Sequence, residues 1–336
     1  MHQPSQRYDE PRRFTIGLVI NPTAGLGKGV SAGKKVVDEF ARYNVTVKDL
    51  SAHTARDALA RARGACLDPL DALVVVGGDG MVNLGLNAVI GTPTPLGIIA
   101  AGSGNDFARA LELPTRNVKR SVALIVDALT HGRVSEYDAA QVEPYVAASQ
   151  HSRLRKHELA PAETHAESAR RWYAGTLSLG LDAAVNAQAN TYAWPKGHLK
   201  YMRAVIACIA RFKPYGYAIT VNSRRIETTG TLVAISNAPY FGGGLHVAPH
   251  ADMMDGLLDF IFAQPLTKAG IFKVFPKLYA GRHLEDPAIA TKQVREIIIE
   301  PSSSGQFPPV AMADGEVIGP VPLKIVAHRK VLRVLT

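Results

Sequence analysis

Three short segments of this 336-residue chain join glycines to acids in a way that suits the handling of phosphate: Gly77-Gly78-Asp79-Gly80, Gly102-Ser103-Gly104-Asn105-Asp106 and Asp314-Gly315-Glu316. The first interrupts the apolar run Leu73-Val74-Val75-Val76 and leads into Met81-Val82-Asn83. Its glycines let the backbone adopt dihedrals closed to other residues and approach a ligand with no Cβ in the way. Amides of such a loop, together with the amino end of the following helix, make a site for phosphate. Asp79 is an acid too close to bind phosphate unaided, so a cation is expected nearby, with Mg²⁺ the natural choice. Taken alone, the segment would serve equally well as a glycine turn between strand and helix.

The other segments decide between those readings. Ser103, Asn105 and Asp106 precede a helix that opens at Phe107, and singly they would be ordinary caps. A further glycine-rich stretch, Asn21-Pro22-Thr23-Ala24-Gly25-Leu26-Gly27-Lys28-Gly29, follows the first strand. It fails the Walker A pattern, because Gly29 stands where Ser or Thr is required, and the dinucleotide fingerprint, because Val30 stands where glycine is required. Three loops at successive strand ends would nevertheless face one crevice, where open α/β sheets bind ligands. Two polar turns, Ala248 to Leu257 with Asp252 and Asp255, and Asp314-Gly315-Glu316, read as hairpins whose acids could reach that crevice. A carboxylate beside bound MgATP is what a kinase needs to orient an alcohol and accept its proton.

The elements that must position these residues follow from hydrophobic periodicity. Strands are predicted over 14–20, 45–50, 72–76 and 95–100, alternating with helices over 30–43, 54–65 and 118–129, the alternation of a parallel α/β domain. From Ser135 onward the strand-like segments 135–145, 171–179, 217–221, 231–236, 257–262 and 294–299 are mostly not separated by helices, so a β-rich domain begins near Asp138. Residues 147–170, rich in charge, His and Ala, read as a mobile insertion. A helix over 200–212 places Lys200, Arg203 and Arg211 on one face and Tyr201, Val205, Cys208, Ile209 and Phe212 on the other. An ordinary surface helix packed on its own domain accounts for this pattern better than a membrane-facing one. His246 and His250 have the spacing of a metal pair, but Pro249 breaks any helix that would align them.

Composition sets the outer bounds. With 47% hydrophobic residues the chain can form a full globular core, and two domains are expected. The net charge of +9 favours anionic partners such as nucleotide phosphates or acidic lipid surfaces. Nucleic acid has only this charge in its favour and is not expected as a partner. Met1 to Arg13 lacks an apolar core, and no stretch approaches the length of a membrane span, so an intracellular protein is expected. Cys66 and Cys208 lie outside any C-x-x-C pattern, which leaves neither a disulfide framework nor a zinc site.

Taken together, Asn21-Pro22-Thr23-Ala24-Gly25, Gly77-Gly78-Asp79-Gly80, Gly102-Ser103-Gly104-Asn105-Asp106-Phe107-Ala108-Arg109, Ser236-Asn237 with Gly242-Gly243-Gly244, Asp255-Gly256 and Asp314-Gly315-Glu316 resemble one family. It is the diacylglycerol kinase catalytic family, in particular its soluble bacterial lipid kinases, and the likeness covers nearly the whole chain. The resemblance implies an α/β amino-terminal domain like that of phosphofructokinases and NAD kinases, over 1–137. A β-sandwich-like domain, over 138–317, would bind the lipid, and strands within 318–336 would return to the first domain. ATP would bind between the two.

By position, the resemblance gives the nucleotide to Asn21, Pro22, Thr23, Ala24, Gly25, Thr54, Gly77, Gly78, Asp79, Gly80, Met81, Val82 and Asn83, with Ser103 on its phosphates. Asp79, Asn105 and Asp106 would surround a catalytic Mg²⁺, and Asp252, Asp255 and the Leu257 carbonyl a structural one. Glu316 would be the general base, supported by Asp314. Met81 and Leu84 stand where the family usually has Thr and Glu, which removes a hydroxyl and a carboxylate beside the phosphates, a change read as tolerated.

The implied activity is phosphorylation of the primary hydroxyl of diacylglycerol by ATP, giving phosphatidic acid. It would be carried out in the cytoplasm by a protein peripherally attached to the inner face of the membrane, with a homodimer through the β domain as a further implication. The alternatives are another lipid alcohol such as a sphingoid base, or a nucleotide-binding regulator with weak catalysis. NAD kinase is a poorer match, because Asn105-Asp106-Phe107-Ala108-Arg109 and Asp314-Gly315-Glu316 fit the lipid kinases.

Overall fold

The computed structural model describes residues 13–20, 29–146, 170–192 and 198–336. Asn21, Pro22, Thr23, Ala24 and Gly25, and residues 147–169 of the expected insertion, lie outside the described residues. The first half alternates strand and helix: β1 (Thr15–Ile20), α1 (Gly29–Ala41), β2 (Thr46–Asp49), α2 (Ala55–Ala65), β3 (Ala72–Gly77), α3 (Asp79–Val89), β4 (Leu96–Ala100), α4 (Asp106–Ala110) and α5 (Val118–His131). β1 pairs in parallel with β2 and β3, and β3 with β4. Helices cover both faces, so Ala72 to Val76 are buried throughout and read as an unbroken apolar run. Val36, Phe40, Val122 and Ile125 pack on Ile16, Leu18, Val74 and Val76, while Ala58, Ala62, Leu84 and Leu86 join Leu73 and Val75 in the opposite cluster.

The second half holds β5 (Val134–Pro144), β6 (Arg171–Tyr173), β7 (Thr176–Gly180), α6 (Leu181–Thr191), α7 (His198–Arg211), β8 (Tyr215–Val221), β9 (Arg224–Gly230), β10 (Leu232–Ser236), β11 (Leu258–Ala263), α8 (Lys268–Tyr279), β12 (Ile289–Val294), β13 (Glu296–Pro301), β14 (Ala311–Ala313), β15 (Glu316–Gly319) and β16 (Leu323–Leu335). One mixed sheet runs β2-β1-β3-β4-β16-β13-β8-β9, with β5 beside β16 and β6 beside β5. The other, β12-β11-β10-β7-β14-β15, is antiparallel throughout. Tyr173, Leu177, Leu179, Tyr217, Ile235, Ile299 and Ile325 fill the space between them, as in a β-sandwich. No helix among the described residues is long and apolar enough to cross a membrane.

Two departures from the sequence reading matter for the site. The segment 171–179, expected as one strand, is two, broken at Ala174-Gly175 because those amides turn toward Asp314. Helices α6 and α8 stand where no helix was expected, and with α7 they form one side of an apolar cavity.

Asp138, fully buried on β5, locks the last strand to the Asp-Gly turn. Its Oδ2 accepts from the Gly256 amide at 2.5 Å and its Oδ1 from the Lys330 amide at 2.7 Å. Replacing it with Ala strands both donors, so Asp138→Ala should lower unfolding free energy in urea by about 2–4 kcal/mol with an unchanged m-value. A loss below about 1 kcal/mol would show that these two bonds do not secure the strand.

Candidate active site

The crevice is built from the carboxyl ends of β3 and β4. The Gly77 carbonyl accepts from the Ala101 and Gly102 amides, at 2.8 and 3.2 Å, which brings the two glycine loops together. A Cβ on Gly102 would collide with the Gly78 backbone, so only glycine fits. Asn105 closes the second loop on itself: its Oδ1 accepts from Gly102 N and its Nδ2 donates to Gly102 O, both at 2.9 Å. It does so in the left-handed conformation, φ 58°, which Asn tolerates better than most residues. Helix α3 begins at Asp79 with no side-chain cap on its first amides, the arrangement that suits an anion.

Asp79 sits where these parts meet. Its Oδ1 accepts from the Phe107 amide at 3.1 Å, and its Oδ2 lies against Gly104. Burial raises its pKa and the charge of Asp106 adds to this, while the amides of Phe107, Asp106 and Asn105 pull it back. Asp106 is held by Arg109 Nη1 at 2.5 Å and by the Gly243 amide at 2.7 Å, which ties the Gly242-Gly243-Gly244 loop to the crevice. The guanidinium of Arg109 also lies over the Tyr240 ring, 5.7 Å from its centroid.

The other wall comes from the antiparallel sheet. Asp314 accepts from the amides of Ala174, Gly175 and Thr176 at 3.0, 3.0 and 3.1 Å, and from Asn83 Nδ2 at 3.3 Å. Burial pushes its carboxyl up to about 6, the Ala174 amide and Asn83 restrain that rise, and Asp79 adds to it. Two residues on, exposed Glu316 reaches back across the crevice. Its Oε1 lies 3.1 Å from where a Cβ on Gly80 would stand.

Thus Gly77, Gly78, Asp79, Gly80, Asn105, Asp106, Asp314 and Glu316 converge, with exposed Ser103 at the loop tip. Asn83 turns its amide to Asp314 and to the Trp172 carbonyl. Met81, Val82 and Leu84 are buried in the core, so Met81 and Leu84 fill apolar space where the resemblance placed a missing hydroxyl and carboxylate. Thr54 caps α2, with its hydroxyl accepting from the Asp57 amide. Asp252 and Asp255 accept from the amides of Met254 and Leu257, and Asp255 also from Gln293, so in the structure they brace their own turn.

Among the described residues no three acid, His or Cys side chains converge on one point. Asp79 and Asp106 nevertheless fit Mg²⁺: they are hard oxygen donors that repel one another, and Mg²⁺ is commonly held by one or two carboxylates together with substrate phosphates.

Sequence reasoning missed Asn87 and Trp172. The Asn87 side chain brackets the Trp172 peptide, accepting from its N–H at 3.0 Å and donating to its C=O at 2.8 Å. The available signal was Asn83 and Asn87 at i, i+4 on an otherwise apolar helix.

Beside the glycine loop opens an apolar cavity of about 110 Å³, walled by α6, α7, α8 and the antiparallel sheet. Phe241 and Leu245, which flank the Gly242-Gly243-Gly244 loop, line it, as do Val205, Ile209 and Val274. Among the described residues, two acceptor atoms in its lining lack a hydrogen-bond partner, Asp182 Oδ1 and His283 Nδ1. Burial pushes Asp182 up to about 6, against the restraint of the Ser178 hydroxyl.

The family described as "Diacylglycerol kinase catalytic domain" matches residues 15–142, and "YegS C-terminal NAD kinase beta sandwich-like domain" matches 175–336. The diacylglycerol kinase of Mycobacterium tuberculosis (strain H37Rv) is 30% identical over 332 residues, covering 96% of each chain. That of Bacillus subtilis (strain 168) is 23% identical over 314 residues, 91% of this chain and 90% of its own. In fold, a crystal structure of a diacylglycerol kinase from Bacillus anthracis str. Sterne superimposes with a TM-score of 0.62 at 18% identity, covering 96% of each chain. The protein belongs to the diacylglycerol kinase family. It is therefore a lipid kinase, and its family implies ATP and a lipid as substrates.

Two measurements test this geometry. Gly80→Ala sets a methyl against Glu316 Oε1, so kcat should fall about tenfold or more while the urea midpoint stays near wild type. An unaltered kcat would show that the exposed Glu316 carboxylate gives way to the methyl without losing its position. For Asp182 the folded pKa of about 6 lies above the ordinary aspartate value of 3.8, so the fold keeps a proton that the unfolded chain gives up. Stability from this group is full below the lower value and is lost as pH rises through the upper one. Asp182→Asn should therefore gain on wild type between those values by on the order of 3 kcal/mol and hold the gain above them. A pH-independent difference in melting temperature would contradict this.

Proposed function

We propose that this protein transfers the γ-phosphoryl group of ATP to the primary hydroxyl of diacylglycerol, giving phosphatidic acid and ADP. The observation that carries the reading is the position of Glu316 over the first turn of α3, beside two glycine loops and within one loop of an apolar cavity. Residues 1–137 with the returning segment 318–336 would bind nucleotide, and 138–317 the lipid. The protein would work from the cytoplasm on the inner face of the membrane.

In this reading the amides of Gly78 to Gly80 and the start of α3 take the phosphate oxygens. Ser103 adds a hydroxyl at the rim, and Asn105 keeps its loop in shape. Glu316 accepts the proton of the lipid hydroxyl as that oxygen bonds to phosphorus and the bond to the ADP oxygen breaks. Asp314 keeps its carboxylate turned inward and holds the hairpin that carries Glu316. Bound Mg²⁺ would be held by Asp79 and Asp106 and would neutralise phosphate charge. The transition state of phosphoryl transfer is loose, with its charge on the phosphoryl oxygens, so electrostatic groups should outweigh the base.

The burial of Met81 and Leu84 supports a working enzyme over a non-catalytic regulator, because it accounts for both substitutions without stripping the crevice. One observation favours a second acceptor class. The unpaired Asp182 Oδ1 in the cavity lining would suit a lipid bearing a hydrogen-bond donor or a cation, such as a sphingoid base.

The experiment is ADP release from MgATP in mixed micelles with diacylglycerol, a sphingoid base or no acceptor. Diacylglycerol should stimulate wild type. Glu316→Ala should lose about 10²–10⁴-fold in kcat, and Asp79→Ala at least as much. Stimulation by the sphingoid base alone would move the substrate to the second class. A fully active Asp79→Ala would sink the proposed mechanism.

A further inference from the structure

Helix α8 is apolar on two sides. Its inner face, Ile271, Val274, Phe275 and Leu278, lines the cavity. Its outer face is exposed at Ala269, Phe272, Pro276 and Tyr279, with Phe272 57% and Tyr279 59% accessible. A surface helix normally turns polar residues outward, and one that is apolar all round is normally covered. Neighbouring α7 repeats the pattern: Val205 and Ile209 line the cavity while Ile206 stands 57% exposed. The two helices meet where Lys268 Nζ donates to the Ala210 carbonyl at 2.6 Å.

The charge around these side chains is of one sign. Segments 198–213 and 264–284 together carry Lys200, Arg203, Arg211, Lys213, Lys268, Lys273, Lys277 and Arg282, and not one Asp or Glu. The acids that follow, Glu285 and Asp286, are paired with Arg282 and Lys277, and Arg203 lies over Tyr192. Exposed aromatic and aliphatic groups on two helices whose sequence is rich in cations match a bilayer bearing anionic headgroups, where apolar side chains enter the acyl boundary and lysines meet phosphate.

We propose that the outer face of α7 and α8 is the membrane-docking surface, and that its partner is an anionic phospholipid bilayer. This rests on the lipid-kinase reading for its purpose. The same two helices wall the cavity from within, so docking would bring the acceptor pocket to the lipid phase.

The test is co-sedimentation of the full chain with phosphatidylcholine vesicles, alone or with about a third phosphatidylglycerol. Wild type should prefer the anionic vesicles. Ile206→Ser/Phe272→Ser should weaken partitioning about tenfold, and Arg211→Gln/Lys273→Gln should erase the preference for phosphatidylglycerol. Both pairs should keep wild-type turnover on a short-chain diacylglycerol held below its aggregation concentration. Unchanged vesicle binding by the apolar pair would overturn the proposal. A shift of that pair from dimer to monomer in sedimentation velocity, with vesicle binding intact, would also overturn it and give the face to a second copy of the chain. Should wild type dock through these residues yet show no diacylglycerol-dependent turnover, the docking surface stands and the diacylglycerol reading falls.

Discussion

A buried carboxylate holds the two halves of this molecule in working register. Asp314 takes three backbone N–H groups from the start of the antiparallel sheet and one side-chain amide from α3. Burying an ion without partners is costly, and this set of donors makes the position tenable. Gly175 cannot be replaced without driving a Cβ into the Asp314 carboxylate. Asp314 and Gly315 both have positive φ, 49° and 84°, the two-residue turn that an Asp-Gly pair favours between antiparallel strands. The turn points Asp314 inward and delivers Glu316 to the crevice, so one pairing sets both position and exposure.

The rest of the crevice depends on similar cross-links. Asn83 and Asn87 fasten helix α3 to Trp172, while Asp106 reaches the Gly243 amide on the far side. Strand β7 spans the distance between the crevice and the cavity. At its start, Thr176 meets Asp314; past its end, Leu181 and Asp182 line the cavity. The segment from Phe241 to Leu245 touches both, with Gly243 on Asp106 and its flanking apolar side chains in the cavity wall. A lipid acceptor with its chains in the cavity would therefore have its polar end near the glycine loop.

Much of this was legible in the sequence because local chemistry and global role coincide there. The glycines at 77, 78 and 102, and the polar pair Asn105 and Asp106, belong where strand ends meet, and the alternation of strand and helix up to His131 follows hydrophobic period. What escaped reading depends on tertiary partners. Helix α8 contains Pro276 and shows apolar residues on two faces, so its period is blurred; α6 is rich in Ala and Asn and carries a weak apolar stripe. The break at Ala174-Gly175 exists only because Asp314, distant in sequence, needs those amides. Met81 and Leu84 looked like losses beside the phosphates because spacing alone does not tell which face of a short buried helix a residue takes. Asp138 and Trp172 gave no local sign of their bonds to elements elsewhere in the chain.

Asn83 and Asp314 act as one unit across the crevice to place Glu316. The most direct test is a double-mutant cycle on lipid-dependent turnover with Asn83→Ala, Asp314→Asn and the double variant. Coupled residues should give an interaction energy of about 1–3 kcal/mol, the double variant losing far less than the product of the single losses. Additive losses, with coupling below about 0.5 kcal/mol, would contradict the account and leave the two residues with independent roles.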